Sequence, residues 1–278
     1  TEDLVMSDSS GIYLLKGNFS LNNYDVKSGS ILVYEIGPLG LNFTSSSVVL
    51  TSGMDATGVS NFTFNAGTSN LYIGDTNKTN FLLTDGLAFN NVVLDFIDNG
   101  DLQQLQGNNT FNNLSILKGS KIELQANSTQ TITTGLSMQG TCKDSIYLYS
   151  YSATPARLSK SNVTAQCIHF ENIQKTGATQ TVYFSTQSGT NSGWIFNATP
   201  AVTADFTVSG GYCLGDTTIF TNNSTVFSGN PTDMSSVWYF MDGSTGYYDY
   251  PSVGDSVWIS YEADTNKHVF LSGGDFNV

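Results

Sequence analysis

Three acidic residues spaced by three, Asp95, Asp98 and Asp101, stand in the run Asp95-Phe96-Ile97-Asp98-Asn99-Gly100-Asp101. Two carboxylates that converge across a glycosidic bond can act as acid and base. Carboxylates that converge with carbonyl oxygens can hold calcium, a hard cation. Asp-Asn-Gly is also a turn signal, and the run lacks the closing Glu of an EF-hand loop. The competing expectation is therefore a polar turn at the end of a strand, with calcium at Asp95, Asp98 and Asp101 as the one cofactor to test. A second cluster is Cys167-Ile168-His169-Phe170-Glu171. Strand alternation puts Cys167, His169 and Glu171 on one face, a set of metal-ligating types whose plainer reading is an exposed polar position. A third is Tyr247-Tyr248-Asp249-Tyr250. Aromatic faces pair with the C–H faces of sugars, so Tyr247, Tyr248 and Tyr250 form a candidate glycan contact, or else simply cover a loop.

These residues need elements to position them, and composition says which kind. Charged residues make up 12% of the 278 residues, about half the usual share, and aromatics another 12%. Asn, Thr and Gly are poor helix formers, so the chain is expected to be all-β, with strands joined by tight turns. The net charge is −13, with a single Arg, Arg157. That balance excludes nucleic acid as a partner, because phosphate binding needs clustered Lys and Arg. It disfavours acidic polysaccharides and suits solubility outside a cell. No apolar run is long enough to span a membrane. Thr1-Glu2-Asp3 is polar, so any export signal is expected upstream.

Internal repeats carry the stronger signal. Phe89-Asn90-Asn91-Val92-Val93-Leu94 recurs 22 residues later as Phe111-Asn112-Asn113-Leu114-Ser115-Ile116. Related phrases are Phe64-Asn65-Ala66-Gly67 and Asn18-Phe19-Ser20-Leu21-Asn22-Asn23-Tyr24. A period of this size predicts one coil of a right-handed parallel β-helix over residues 1–199. Each coil buries its inward side chains on the next, and equivalent Asn residues stack into hydrogen-bonded ladders. Pro200 lies in a short linker of small residues, after which strands recur at sandwich-like spacing over residues 203–278.

Coil spacing also bears on the cysteines. Cys142 and Cys167 lie 25 residues apart, about one coil. Stacked positions are about 4.8 Å apart, near the lower range for a disulfide, so a Cys142–Cys167 bridge is expected in an oxidising compartment. Two buried thiols are the alternative. Cys213 is left over, and no C-x-x-C pair supports zinc.

Two resemblances follow from these phrases. Gly17-Asn18-Phe19-Ser20-Leu21-Asn22-Asn23-Tyr24-Asp25-Val26-Lys27-Ser28-Gly29 and the closing Ser188-Gly189-Thr190-Asn191-Ser192-Gly193-Trp194-Ile195-Phe196 resemble the β-helical repeat regions of large Bacteroidetes-type surface proteins. Residues 203–278 resemble a PKD domain, an immunoglobulin-like β-sandwich. Its Trp-x-Phe-Gly-Asp-Gly motif reads Trp238-Tyr239-Phe240-Met241-Asp242-Gly243 here, with Met241 in place of the first Gly. The structural positions of the motif are thus Trp238, Phe240, Asp242 and Gly243. The resemblance implies a secreted structural or adhesive module on the outer face of the outer membrane, such as an adhesin or gliding-motility filament exported by the type IX route. Its partners would be other domains of a larger polypeptide, the secretion or attachment machinery, and glycans or a surface. A sorting domain is expected beyond residue 278. O-glycosylation at Asp-Ser-apolar triplets would fall on Ser145 and Ser256.

Parallel β-helices also host polyuronate enzymes. Lyases of that kind need basic residues, which are scarce here. The hydrolases use clustered Asp with Gly-His-Gly, and neither Asp-Asp nor Gly-His-Gly occurs. The chain is therefore expected not to be an enzyme. The alternative, a carbohydrate-binding or carbohydrate-active β-helix, predicts a groove on the solenoid lined by Asp or Glu together with aromatics.

Overall fold

The computed structural model describes residues 3–34, 36–141, 144–197, 202–203, 205–211, 215–226, 235–240, 256–261 and 265–269. The chain divides into two compact units, residues 1–199 and 200–278. Among the described residues every regular element is a strand, and no helix is long and apolar enough to cross a membrane.

The first unit is a parallel β-solenoid of about eight turns. Its register explains the repeat. Val26, Val48, Leu71, Val92, Leu114 and Leu136 pair rung to rung in steps of 21 to 23 residues. All six are buried. A second inward column runs Ile31, Met54, Leu82, Leu105 and Leu124. A third begins with Phe19, Leu41 and Phe64 in register. Phe64 then meets Phe89 at 4.9 Å, and Phe89 stacks on Phe111 at 5.6 Å. Each such side chain contributes about 1.5–3 kcal/mol by leaving water, but only because the neighbouring rung covers it.

The Phe-Asn-Asn phrase interrupts the inward–outward alternation of its strand. Within Ala88–Asp95, Phe89 points in, Asn90 and Asn91 stay at the surface, and Val92 points in again. Two consecutive residues that both leave the core break the period of two within this one strand. The expected Asn ladders form there. Asn91 Nδ2 donates to Asn70 Oδ1 at 2.8 Å, and Asn113 Nδ2 donates to Asn91 Oδ1 at 2.7 Å. Beside them, Asn112 donates to Asn90 at 3.1 Å, and Asn90 to the Ser69 carbonyl at 3.1 Å. At the far end Trp194, from the strand Trp194–Asn197, lies on Phe170 with centroids 4.5 Å apart. Its Nε1–H donates to the Ile173 carbonyl at 3.1 Å.

In the second unit the described strands are antiparallel. Phe206–Gly210 pairs with Thr217–Asn222, which pairs with Thr265–Val269. Ser235–Phe240 pairs with Ser256–Tyr261, setting Trp238 opposite Trp258. Val202–Thr203 pairs with Thr225–Val226.

Candidate functional site

Four successive rungs build one outer wall of the solenoid. In Lys121–Leu124, Ile122 and Leu124 are buried, so Lys121 and Glu123 point out. In Ile146–Tyr149 the same alternation presents Tyr147 and Tyr149, and in Ile168–Glu171 it presents His169 and Glu171. Thr186 and Ser188 follow on Thr186–Ser188. Parallel register aligns them into two columns. One reads Lys121, Tyr147, His169, Thr186. The other reads Glu123, Tyr149, Glu171, Ser188. Rungs are about 4.8 Å apart, so the wall is a grid of side chains on a rigid backbone.

Lys121, Glu123, Tyr147, Tyr149 and Glu171 of this wall line an open groove of about 930 Å³. Leu102, Ser145 and Tyr151 stand at its rim, and Tyr151 is 88% exposed. Asp98 also lines it, held by Lys121 Nζ at 3.0 Å.

Hydrogen bonds fix the grid. The Tyr147 hydroxyl donates to Glu171 Oε2 at 2.5 Å. Gln104 Nε2 donates to Glu123 Oε1 at 3.4 Å. His169 Nδ1 lies 2.7 Å from Thr186 Oγ1, and Nε2 lies 3.0 Å from Ser188 Oγ. A neutral imidazole has one donor and one acceptor nitrogen, so one of these hydroxyls donates to the ring and the other accepts from it. Tyr147 and Tyr149 sit at 5.4 Å with planes tilted by 55°, so the two rings of the wall are differently inclined.

The electrostatics follow from burial and the carboxylates. Burial, then the hydrogen bond and charge of Glu171, push the Tyr147 hydroxyl up to about 12. Tyr149 is raised by burial, then by the charges of Glu123, Asp98 and Glu171. Burial lowers His169 against the pull of Glu171. The Lys121 hydrogen bond is the main cause holding Asp98 below its ordinary range, aided by the Gly100 N–H.

The acidic run does not converge. Asp95 Oδ2 accepts from the Tyr72 hydroxyl at 2.5 Å, Asp98 pairs with Lys121, and Asp101 Oδ2 accepts from Thr79 Oγ1 at 3.1 Å. Asp98 and Gly100 do form the expected turn, with the Gly100 N–H donating to Asp98 Oδ1 at 3.2 Å. Among the described residues no three His, Cys, Asp or Glu side chains gather as metal ligands.

The shared face expected of Cys167, His169 and Glu171 is corrected. His169 and Glu171 do point out together, but Cys167 is buried beside the equally buried Ile168. Its φ of 50° places it in the left-handed region, a kink just before the strand that breaks the alternation. Cys142 lies outside the described residues, as do Cys213, Asp242, Gly243, Tyr247, Tyr248 and Tyr250. Trp238, Phe240 and Ser256 are described as strand positions. Ser145 is exposed at the groove rim, where its hydroxyl donates to the Thr141 carbonyl at 3.1 Å.

Of the wall, the sequence singled out only His169 and Glu171, which share a strand; Lys121, Glu123, Tyr147 and Tyr149 were missed, because they sit on other strands 22 to 26 positions away (Lys121 to Tyr147, Tyr147 to His169). The available signal was three successive strands that each carry a polar or aromatic pair at i and i+2. Compared with known proteins, the chain matches no family model, no curated protein and no solved structure.

Proposed function

We propose that the chain is a glycan-binding adhesive module of an exported bacterial surface protein, with the solenoid groove as its binding site. The observation that carries this reading is the groove itself. Three tyrosines, Tyr147, Tyr149 and Tyr151, and two acidic acceptors, Glu123 and Glu171, line one concave wall. Aromatic faces give a sugar its apolar contact, and carboxylates accept from its hydroxyls more strongly than neutral groups do. A rigid sheet holds both in place, which limits the ordering cost of binding.

Within this reading the solenoid is a right-handed β-helix and the second unit a PKD-type sandwich. The low charge density and net charge of −13 suit an extracellular surface. The sequence phrases ending at Phe196 support a Bacteroidetes-type repeat protein of the outer cell surface, exported by the type IX route and attached through the remainder of a larger polypeptide. The role is binding rather than bond cleavage. Tyr149 stands on the rung between Glu123 and Glu171, where its ring offers a sugar an apolar face between two acceptors.

A glycan array probed with the whole chain tests the proposal. Selective binding that is lost in Tyr149→Ala and in Tyr151→Ala is the expected result. No binding to any glycan, or binding indifferent to both substitutions, would overturn it.

A further inference from the structure

We infer that the groove selects glycans carrying free, protonated amines, that is, de-N-acetylated hexosamine chains. The inference rests on the glycan reading above and adds the charge of the ligand.

The groove lining contains three carboxylates, Asp98, Glu123 and Glu171, and one ammonium, Lys121. Lys121 is committed to Asp98 at 3.0 Å. The remaining two negative charges belong to Glu123 and Glu171. They flank Tyr149 in one column, one rung to either side. At about 4.8 Å per rung, their backbones are about 10 Å apart with the Tyr149 ring between them.

An ammonium over that ring gains twice. The ring face attracts a cation, and a carboxylate stands within reach on each side. An N-acetyl group in the same place keeps the apolar contact and loses both charge terms. A uronate is repelled outright, since the whole chain is acidic as well. The same carboxylates act on the Tyr149 hydroxyl, which is made harder to ionise by burial and then by Glu123, Asp98 and Glu171. Glu171 is also oriented, because the Tyr147 hydroxyl holds its Oε2 at 2.5 Å and leaves Oε1 for a ligand.

Calorimetric titration of the whole chain with hexamers of glucosamine and of N-acetylglucosamine tests the inference. It is run at about pH 5.5, above the ordinary Glu value of about 4.3 and on the acid side of the range in which sugar amines lose their proton. The glucosamine hexamer is expected to bind about tenfold or more tightly than its acetylated counterpart. Glu123→Gln and Glu171→Gln each shrink that preference while sparing the acetylated ligand. Tyr149→Ala weakens both ligands, and Asp8→Asn, an acid paired with Lys27 away from the groove, changes neither. Equal or stronger binding of the acetylated hexamer overturns the amine preference and leaves the glycan reading standing. A preference that survives both glutamine variants also overturns it, by assigning the effect to the overall acidity of the chain. A lysine hexapeptide that binds as tightly as the glucosamine hexamer overturns the sugar assignment. Silence toward both hexamers, with a silent array, overturns the glycan reading itself.

Discussion

The imidazole of His169 lies flat on the ring of Tyr147, with centroids 4.5 Å apart and planes 4° from parallel. The two residues are consecutive rungs of one column, so the stack is the side-chain counterpart of the backbone ladder. Tyr147 in turn reaches forward to Glu171, which makes the pair a structural joint of the groove wall.

That joint has a pH signature. Burial keeps His169 below its ordinary 6.5, with Glu171 opposing. A histidine held neutral by the fold contributes stability that is present above 6.5 and is lost as pH falls through its folded midpoint. Proton NMR of the imidazole should show a midpoint under 6.5, and Glu171→Gln should lower it further by removing the opposing charge. A midpoint at or above 6.5 would contradict the burial described.

At the alkaline end, Tyr72 and Tyr147 are both raised to about 12, by burial first and then by Asp95 and Glu171 respectively. Their raised values stabilise the fold fully below pH 10, and that contribution is lost as pH rises from 10 toward 12. Ultraviolet titration should show Tyr72 and Tyr147 ionising at about 12 and Tyr149 also later than an ordinary tyrosine, and Tyr147→Phe should remove one late ionisation. A single ordinary transition for all tyrosines would count against the hydrogen bonds.

Asn91 both donates to Asn70 and accepts from Asn113. Asn91→Ala breaks two rungs of the ladder and should cost about 1–3 kcal/mol in urea denaturation. Asn91→Asp keeps an acceptor but loses the donor, so it should also destabilise, and less so at acid pH where the carboxyl regains a proton. No loss in either variant would mean that the ladder adds no stability.

Gly86 and Gly107 share nearly the same φ, +71° and +76°. A Cβ at Gly86 meets nothing within 4 Å, whereas one at Gly107 comes 1.8 Å from the Thr84 carbonyl oxygen on the preceding rung. Gly86→Ala should therefore cost only the left-handed backbone penalty of about 1–2 kcal/mol. Gly107→Ala should cost about 1–3 kcal/mol more, because the rungs must part. Equal losses would mean that rung spacing is not what makes Gly necessary at 107.

Chelation bears on the acidic run. Lys121 already neutralises Asp98, while Asp95 and Asp101 turn to Tyr72 and Thr79. EDTA should leave the melting temperature of the whole chain unchanged, and a drop of several degrees reversed by calcium would restore the cation site.

The coil was legible because its signal is local and repeated. Phe89 and Phe111 carry the same phrase, and the register pairs them one to one. The phrase at Phe64 was partly legible. Phe64 joins the same aromatic column, but a turn through Ala66 and Ser69 separates it from Leu71, where Phe89 runs directly into Val92. The groove was not legible, because it is a property of register between strands. Strand alternation announces Tyr147 and Glu171 as outward, yet nothing within either strand says that they touch. Cys167 was misplaced for the opposite reason: alternation was extended one residue past the strand, through a left-handed kink that a non-glycine residue rarely adopts.

The 22-residue step between rungs also sets a mechanical unit. Force applied between the two ends of the solenoid loads the outermost rung before any other, so rungs should peel in sequence. Each release lengthens the chain by roughly 75 Å of contour, the reach of 22 extended residues. A tether built this way yields in instalments, dissipating a sudden pull over successive rungs while the inner ones, and the groove wall they carry, keep their shape.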